Sequence, residues 1–142
     1  MKVKIINESG HKLPAYATPG SAGADLRAFL KEPILLKPGE RAVIDTGVHI
    51  QLPRNYEAQV RPRSGNASKL GLAVILGTID SDYTGSIGVI LINLGYEPLQ
   101  ISDGDRIAQL VISPVVQAQW EEVDQLDVTE RGDGGFGHTD LK

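Results

Sequence analysis

The segment "GTIDSDYTG", residues 77–85, sets two carboxylates, Asp80 and Asp82, and a phenol, Tyr83, between glycines. Strand-like runs flank it, so it reads as a β-hairpin. A hairpin tip leaves backbone N–H and C=O groups unpaired, and those groups can copy the pairing edge of a nucleobase. Asp80 can act as a general base that orients a water. Asp80 and Asp82 can instead ligate a metal, because side chains two apart on a strand share a face. A solvated turn is the plainer alternative.

A second group lies in "RPRSGNASK", residues 61–69. Pro62 fixes the backbone before Arg63. Ser64 and Gly65 can point a hydroxyl and backbone N–H groups into one concavity, beside a forked guanidinium that suits phosphate oxygens. The same residues also make an ordinary polar turn, with Ser64 capping a short helix. In "AGADLRA", residues 22–28, Asp25 is either an approach to a metal or its bound water, or a turn stabiliser. In "DGDRIAQLVI", residues 103–112, Gly104 and Asp105 make a turn, and Gln109 sits among apolar residues. A polar amide there must bond the backbone or face a ligand. His11, His49 and His138 show no metal-ligand spacing and read as ordinary surface groups.

The elements that must carry these groups are short. Sixteen glycines and eight prolines divide 142 residues into brief apolar runs rich in Val and Ile. Val48, Ile50 and Leu52 alternate with polar residues, as do Tyr56, Ala58 and Val60. Period-two alternation between turn signals predicts an all-β sandwich or barrel. The single plausible helix is short, near Asn66 to Leu70. "LAVIL" and "VILIN" are apolar on both faces, which calls for cover on both sides, from a sandwich core or from oligomerisation. No linker or repeat divides the chain.

Composition narrows the function. The hydrophobic fraction is 41% and the charged fraction 23%, as in a globular domain. A net charge of −4 gives no footprint for a nucleic acid polymer, although a single nucleotide needs only a few local cations. The absence of cysteine excludes disulfides, thiolate metal sites and a cysteine nucleophile. No apolar run is long enough to span a membrane, and "MKVKIINESG" lacks a signal-peptide core, so a cytoplasmic protein is expected. The end, "ERGDGGFGHTD" at 130–140, has the glycine content of a disordered tail, yet it carries Arg131 and the aromatic Phe136.

In this order, "AGADL", "RPRSG", "GTIDSDYTG", "GDRIAQL" and "RGDGGFGHTD" resemble the five motifs of the trimeric dUTPase family (deoxyuridine 5′-triphosphate nucleotidohydrolases), along nearly the whole chain. The resemblance implies a jelly-roll-like distorted barrel spanning 1–129, a homotrimer with sites shared between subunits, and a mobile C-terminal arm, 130–142. It implies hydrolysis of dUTP to dUMP and pyrophosphate with Mg2+. Asp80 would orient the attacking water and contact the 3′-hydroxyl. Gly77, Thr78, Ile79 and Gly88 would surround the uracil and deoxyribose, and Tyr83 would reject a 2′-hydroxyl. Arg63, Ser64, Gly65, Gln109 and Arg131 would hold the phosphates. Asp25 would hold the metal through water, and Phe136 with Gly137 would cover the base.

The chain departs from the family pattern at Asn66, where leucine is usual. It departs again at His138 and Asp140, where serine and glycine are common. It also lacks the asparagine that some members carry ahead of the uracil segment. A dCTP deaminase on the same fold would need a catalytic glutamate instead of the "ID" aspartate. A non-catalytic jelly-roll binder would have no use for a water-orienting Asp80.

Overall fold

Alternation does produce strands, and they fall in chain order as β1 (Lys4–Asn7), β2 (Ala24–Arg27), β3 (Ile34–Leu36), β4 (Arg41–Asp45), β5 (Val48–Gln51) and β6 (Tyr56–Arg61), then helix α1 (Ser64–Leu70), then β7 (Leu72–Ile75), β8 (Gly77–Ile79), β9 (Gly88–Asn93), β10 (Leu99–Ile101) and β11 (Arg106–Pro114). This computed structural model describes residues 1–135. The strands form a four-stranded sheet in the order β2-β11-β6-β8, a three-stranded sheet β4-β9-β7, and the pairs β1-β5 and β10-β3. Every strand pair is antiparallel. Among the described residues the fold is all-β with one short helix, as expected.

All strands except β1 send a buried apolar side chain into one cluster, in which Leu26, Ile44, Ile87, Leu91 and Ile107 are fully enclosed. Each such side chain stabilises the fold by about 1.5–3 kcal/mol relative to leaving it in water. The alternation predicted at Val48, Ile50 and Leu52 is real, since all three are buried, and Ala58 and Val60 share the inner face of β6. Gly71 ends α1 with φ 68°, and its N–H bonds back to Ala67. A side chain there would meet the Gly95 backbone at 2.5 Å, so only glycine lets the chain turn directly into β7.

Two expectations need correction. Residues 77–85 are not a hairpin, because β8 pairs with β6 while β9 lies between β4 and β7. The segment crosses from one sheet to another, and Asp82 lies in a turn. Ser64 does not cap α1 either. Arg63 holds the cap position in extended conformation without a side-chain cap bond, and Ser64 is already helical.

The β4-β9-β7 sheet turns Val89 and Leu91 inward. Its other face presents Val43, 70% exposed, and Ile75, 42% exposed, beside the half-buried Ile90. Among the described residues regular structure ends at Pro114, and beyond it Val116, Trp120, Leu126 and Val128 are almost wholly exposed. Among the described residues no helix is long and apolar enough to cross a membrane.

Candidate active site

Strand register builds the first half of the site. Gln109 of β11 stands opposite Asp25 of β2 on one side and Arg61 of β6 on the other. Neighbours across an antiparallel sheet share a face. Ala24, Leu26, Val60 and Leu110 take the buried face, so Asp25, Gln109 and Arg61 are left on the outer one. Pro62 has no N–H to continue the ladder, and β6 stops there. The chain then turns and brings Arg63 back over the row.

Arg63 Nε donates to Asp25 Oδ1 at 2.8 Å, and Arg106 Nη1 donates to Asp25 Oδ2 at 3.3 Å. Two guanidinium groups against one carboxylate leave the cluster cationic. Gln109 Nε2 donates to the Pro62 carbonyl at 2.8 Å, which satisfies the amide as the sequence requires. Its Oε1 lies where a Cβ on Gly23 would sit, so the glycine of "AGADL" makes room for the glutamine of "GDRIAQL". Asn66 Nδ2 donates to the Arg106 carbonyl at 3.0 Å, and its Oδ1 faces Arg63 Nη1 at 3.5 Å. The asparagine that departs from the family pattern therefore braces the two arginines. Ser64 and Gly65 begin α1 directly after Arg63.

The second half lies on β8. Gly77 and Ile79 pair with Val60 and Ala58 on one side only, so Gly77, Thr78 and Ile79 form an edge strand with unpaired backbone groups on the other. Buried Ile79 anchors the strand, and the exposed Asp80 follows it. The Tyr83 N–H bonds the Asp80 carbonyl at 3.1 Å, closing a tight turn. The Tyr83 hydroxyl donates to the Ser86 carbonyl at 2.9 Å, which lays the ring across Gly85. Gly88 opens β9 opposite Asp45, with Val43 against it.

One chain does not bring the halves together. Asp80 lies one residue beyond the Ile79–Ala58 pair, level with Glu57, while β6 ends four residues further on at Arg61 and Arg63 follows that end. At ~3.3 Å per residue the strand between those levels spans about 13 Å. The depressions around them share no residue. A cleft of about 340 Å³ is bordered by Arg63, Asn66 and Arg106. A groove of about 910 Å³ is bordered by Arg54, Tyr56 and Asp80. Arg131 joins neither, and its Nε donates to Gly134 in a local turn at 2.8 Å. Phe136 and Gly137 lie outside the described residues, as does His138.

The sequence reading singled out neither Arg61 nor Arg106. Their signal was cationic character beside predicted strand ends, inside motifs already chosen for other residues. His11 and His49 are not plain surface groups. His11 Nε2 pairs with Asp103 at 3.0 Å, and His49 Nδ1 bonds the Thr84 carbonyl at 3.0 Å.

An all-β domain with a carboxylate, an amide and several guanidinium groups clustered on one sheet, and an edge strand followed by an exposed aspartate on the same sheet, has the makings of a nucleotide-binding β protein. The family model described as dUTPase matches residues 10–140. The chain belongs to the dUTPase family. It is 52% identical over 141 residues to the deoxyuridine 5′-triphosphate nucleotidohydrolase of Finegoldia magna, covering 98% of this chain and 99% of that protein. It is 57% identical over 135 residues to the enzyme of that name from Chlamydia pneumoniae, covering 93% of each. Among solved structures, a mutant Staphylococcus bacteriophage 80alpha dUTPase with dUpNHpp superposes with a TM-score of 0.88 at 28% identity, covering 96% of both chains. A mutant dUTPase from phage phi11 of S. aureus, which reveals the coordination of a structural Mg(II) ion, superposes with a TM-score of 0.81 at 27% identity, covering 88% of this chain and 98% of that one.

Proposed function

We propose that the chain hydrolyses dUTP to dUMP and pyrophosphate in a site completed by a second and a third copy of itself. The observation that carries this reading is the row of Asp25, Gln109 and Arg61 across three strands, made cationic in sum by Arg63 and Arg106 on Asp25. Arg63 and Gln109 take phosphate oxygens there, with Ser64 and Gly65 beside them and Arg131 reaching in from the arm, 130–142. The open edge of Gly77, Thr78 and Ile79 offers backbone donors and acceptors to uracil. Tyr83 packs under deoxyribose, Gly88 lies behind it, and Phe136 with Gly137 covers the base.

Asp80 accepts a hydrogen bond from a water and aims it at the α-phosphorus, opposite the leaving pyrophosphate. A general base of this kind contributes about 10²–10⁴ in rate. The arginines stabilise charge that grows on the phosphate oxygens as the bond breaks.

The donor set suits magnesium. Among the described residues no group of three or more His, Cys, Asp or Glu could enclose an ion. Asp25 lends one oxygen to each arginine, which leaves lone pairs free for water. Mg2+ keeps several waters and binds through few carboxylates plus substrate phosphates, so Asp25 would hold it through water. When bound, the ion neutralises triphosphate charge.

The separation of the two halves supports the homotrimer, because Asp80 of one copy then meets Arg63 of another. The uncovered apolar face around Val43 and Ile75 and the exposed segment around Trp120 supply surfaces for the contact. The test is Asp80→Asn. It should bind dUTP as wild type does and release pyrophosphate about a hundredfold more slowly or worse. Undiminished release would sink the assignment.

A further inference from the structure

Two residues outside every motif grip the segment that carries Tyr83. His49 Nδ1 donates to the Thr84 carbonyl at 3.0 Å, a bond that requires the proton on Nδ1. The Ser86 hydroxyl donates to Asp45 Oδ1, which also receives the Gly47 N–H at 2.9 Å. Burial works against the Asp45 charge. The Ser86 hydroxyl and the N–H groups of Gly47 and Thr46 outweigh it and, with His49 nearby, hold the carboxyl below the usual range. Asp45 is thus a charged acceptor at neutral pH.

Between Thr84 and Ser86 lies Gly85, the surface on which the Tyr83 ring rests. A Cβ on Gly85 would come within 2.5 Å of the Tyr83 hydroxyl oxygen. The Tyr83 hydroxyl itself bonds the Ser86 carbonyl. Ser86 is therefore held at both ends, by Asp45 through its hydroxyl and by Tyr83 through its carbonyl. Where Gly85 sits, the ring sits. Ile87 is anchored separately, because the Thr46 hydroxyl donates to its carbonyl at 2.7 Å and its N–H donates to Val48 at 2.8 Å. Loss of either upstream bond leaves that buried anchor in place.

We infer that His49 and Asp45 are positioning residues that fix the Tyr83 ring through Thr84 and Ser86, and so set how strictly the site rejects a ribose 2′-hydroxyl. The inference rests on the proposed role of Tyr83. Steric rejection of one added hydroxyl is a modest discrimination, so a small ring displacement erodes it.

The experiment measures kcat and KM for dUTP and UTP, with thermal unfolding of each variant. His49→Phe keeps the ring volume and loses the donor. It should raise KM for dUTP about threefold to tenfold and lower the dUTP-to-UTP ratio of kcat/KM by a similar factor, the size of one hydrogen bond, with kcat nearly unchanged. His49→Asn, whose amide N–H replaces Nδ1–H, should restore the ratio. Ser86→Ala, which deletes only the hydroxyl on Asp45, should shift it the same way in a protein as stable as wild type. An unchanged ratio in both His49→Phe and Ser86→Ala, or a loss that asparagine fails to repair, overturns the inference alone. Wild-type protein with no preference for dUTP overturns the proposed function as well.

Discussion

Arg63 is bonded to Asp25 through Nε at 2.8 Å, which ties the end of β6 to β2 across the intervening β11. The pair orients the guanidinium on the outer face of the sheet, where the proposed phosphate site lies. A lysine carries the charge without the planar fork that serves Asp25 through Nε and faces Asn66 through Nη1. Arg63→Lys should therefore raise KM for dUTP about tenfold or more, with the fold intact by thermal unfolding. Equal KM values would mean that charge alone suffices.

Asp25→Asn separates metal positioning from arginine positioning. The amide keeps one acceptor for an arginine and loses the charge. The magnesium concentration needed for half-maximal rate should rise about tenfold to a hundredfold, the usual cost of losing a supporting carboxylate. A magnesium titration of the steady-state rate reads this directly, and an unshifted midpoint would remove Asp25 from the metal site.

Gly23→Ala tests the packing between two motifs. The new methyl group would displace the Gln109 amide from its bond to Pro62. Turnover should fall more than stability does, because Gln109 is a half-buried side chain on an outer face. A variant with wild-type kinetics would show that Gln109 finds another position without cost.

Much of this arrangement was readable from residue order. Alternation at Val48, Ile50 and Leu52 located β5, and that at Ala58 and Val60 located β6, because the side-chain period of a strand is local. What escaped depends on pairing. Glycines at 77 and 85 mark a reversal equally well whether the next strand returns to its neighbour or crosses to another sheet, and β9 crosses because β4 and β7 take both its edges. β2 was hidden in the small residues of "AGADLRA", and it is a strand because β11 pairs with it. His49 is 35 residues from Thr84, so nothing in its neighbours announces the bond. The separation of Asp80 from Arg63 is likewise a matter of register, invisible to motif spacing.

Asn93 is fully buried and fully used. It donates to the Leu36 and Glu97 carbonyls and accepts from the Gly95 N–H. Asn93→Ala orphans those partners and should cost at least about 2 kcal/mol in denaturant unfolding. A smaller loss would mean that water reaches the vacated groups.

The pH dependence of stability has a definite sign. The Leu30 N–H and the His11 side chain, both bonded to Asp103, hold its carboxyl below the usual range. A carboxyl lowered on folding contributes stability that is complete above its unfolded value, near 4, and is lost as pH falls through the lower folded value. Thermal midpoints of wild type should thus drop below about pH 4 more steeply than those of Asp103→Asn. Parallel curves would show that the His11–Asp103 pair adds nothing.

The proposed sharing of the site permits a stricter test than any single variant. In the proposed homotrimer, Asp80→Asn and Arg63→Ala should each inactivate every site of their own assembly. If Asp80 and Arg63 of one site come from different copies, mixed trimers contain sites in which both are intact. Random reassembly from equal amounts should restore about one quarter of the wild-type sites, since each of the two positions is filled correctly about half the time. If each chain supplied both residues to the same site, no mixture could regain activity. The separation of the two halves within one chain predicts recovery, measured as pyrophosphate release after the two inactive variants are unfolded and refolded together.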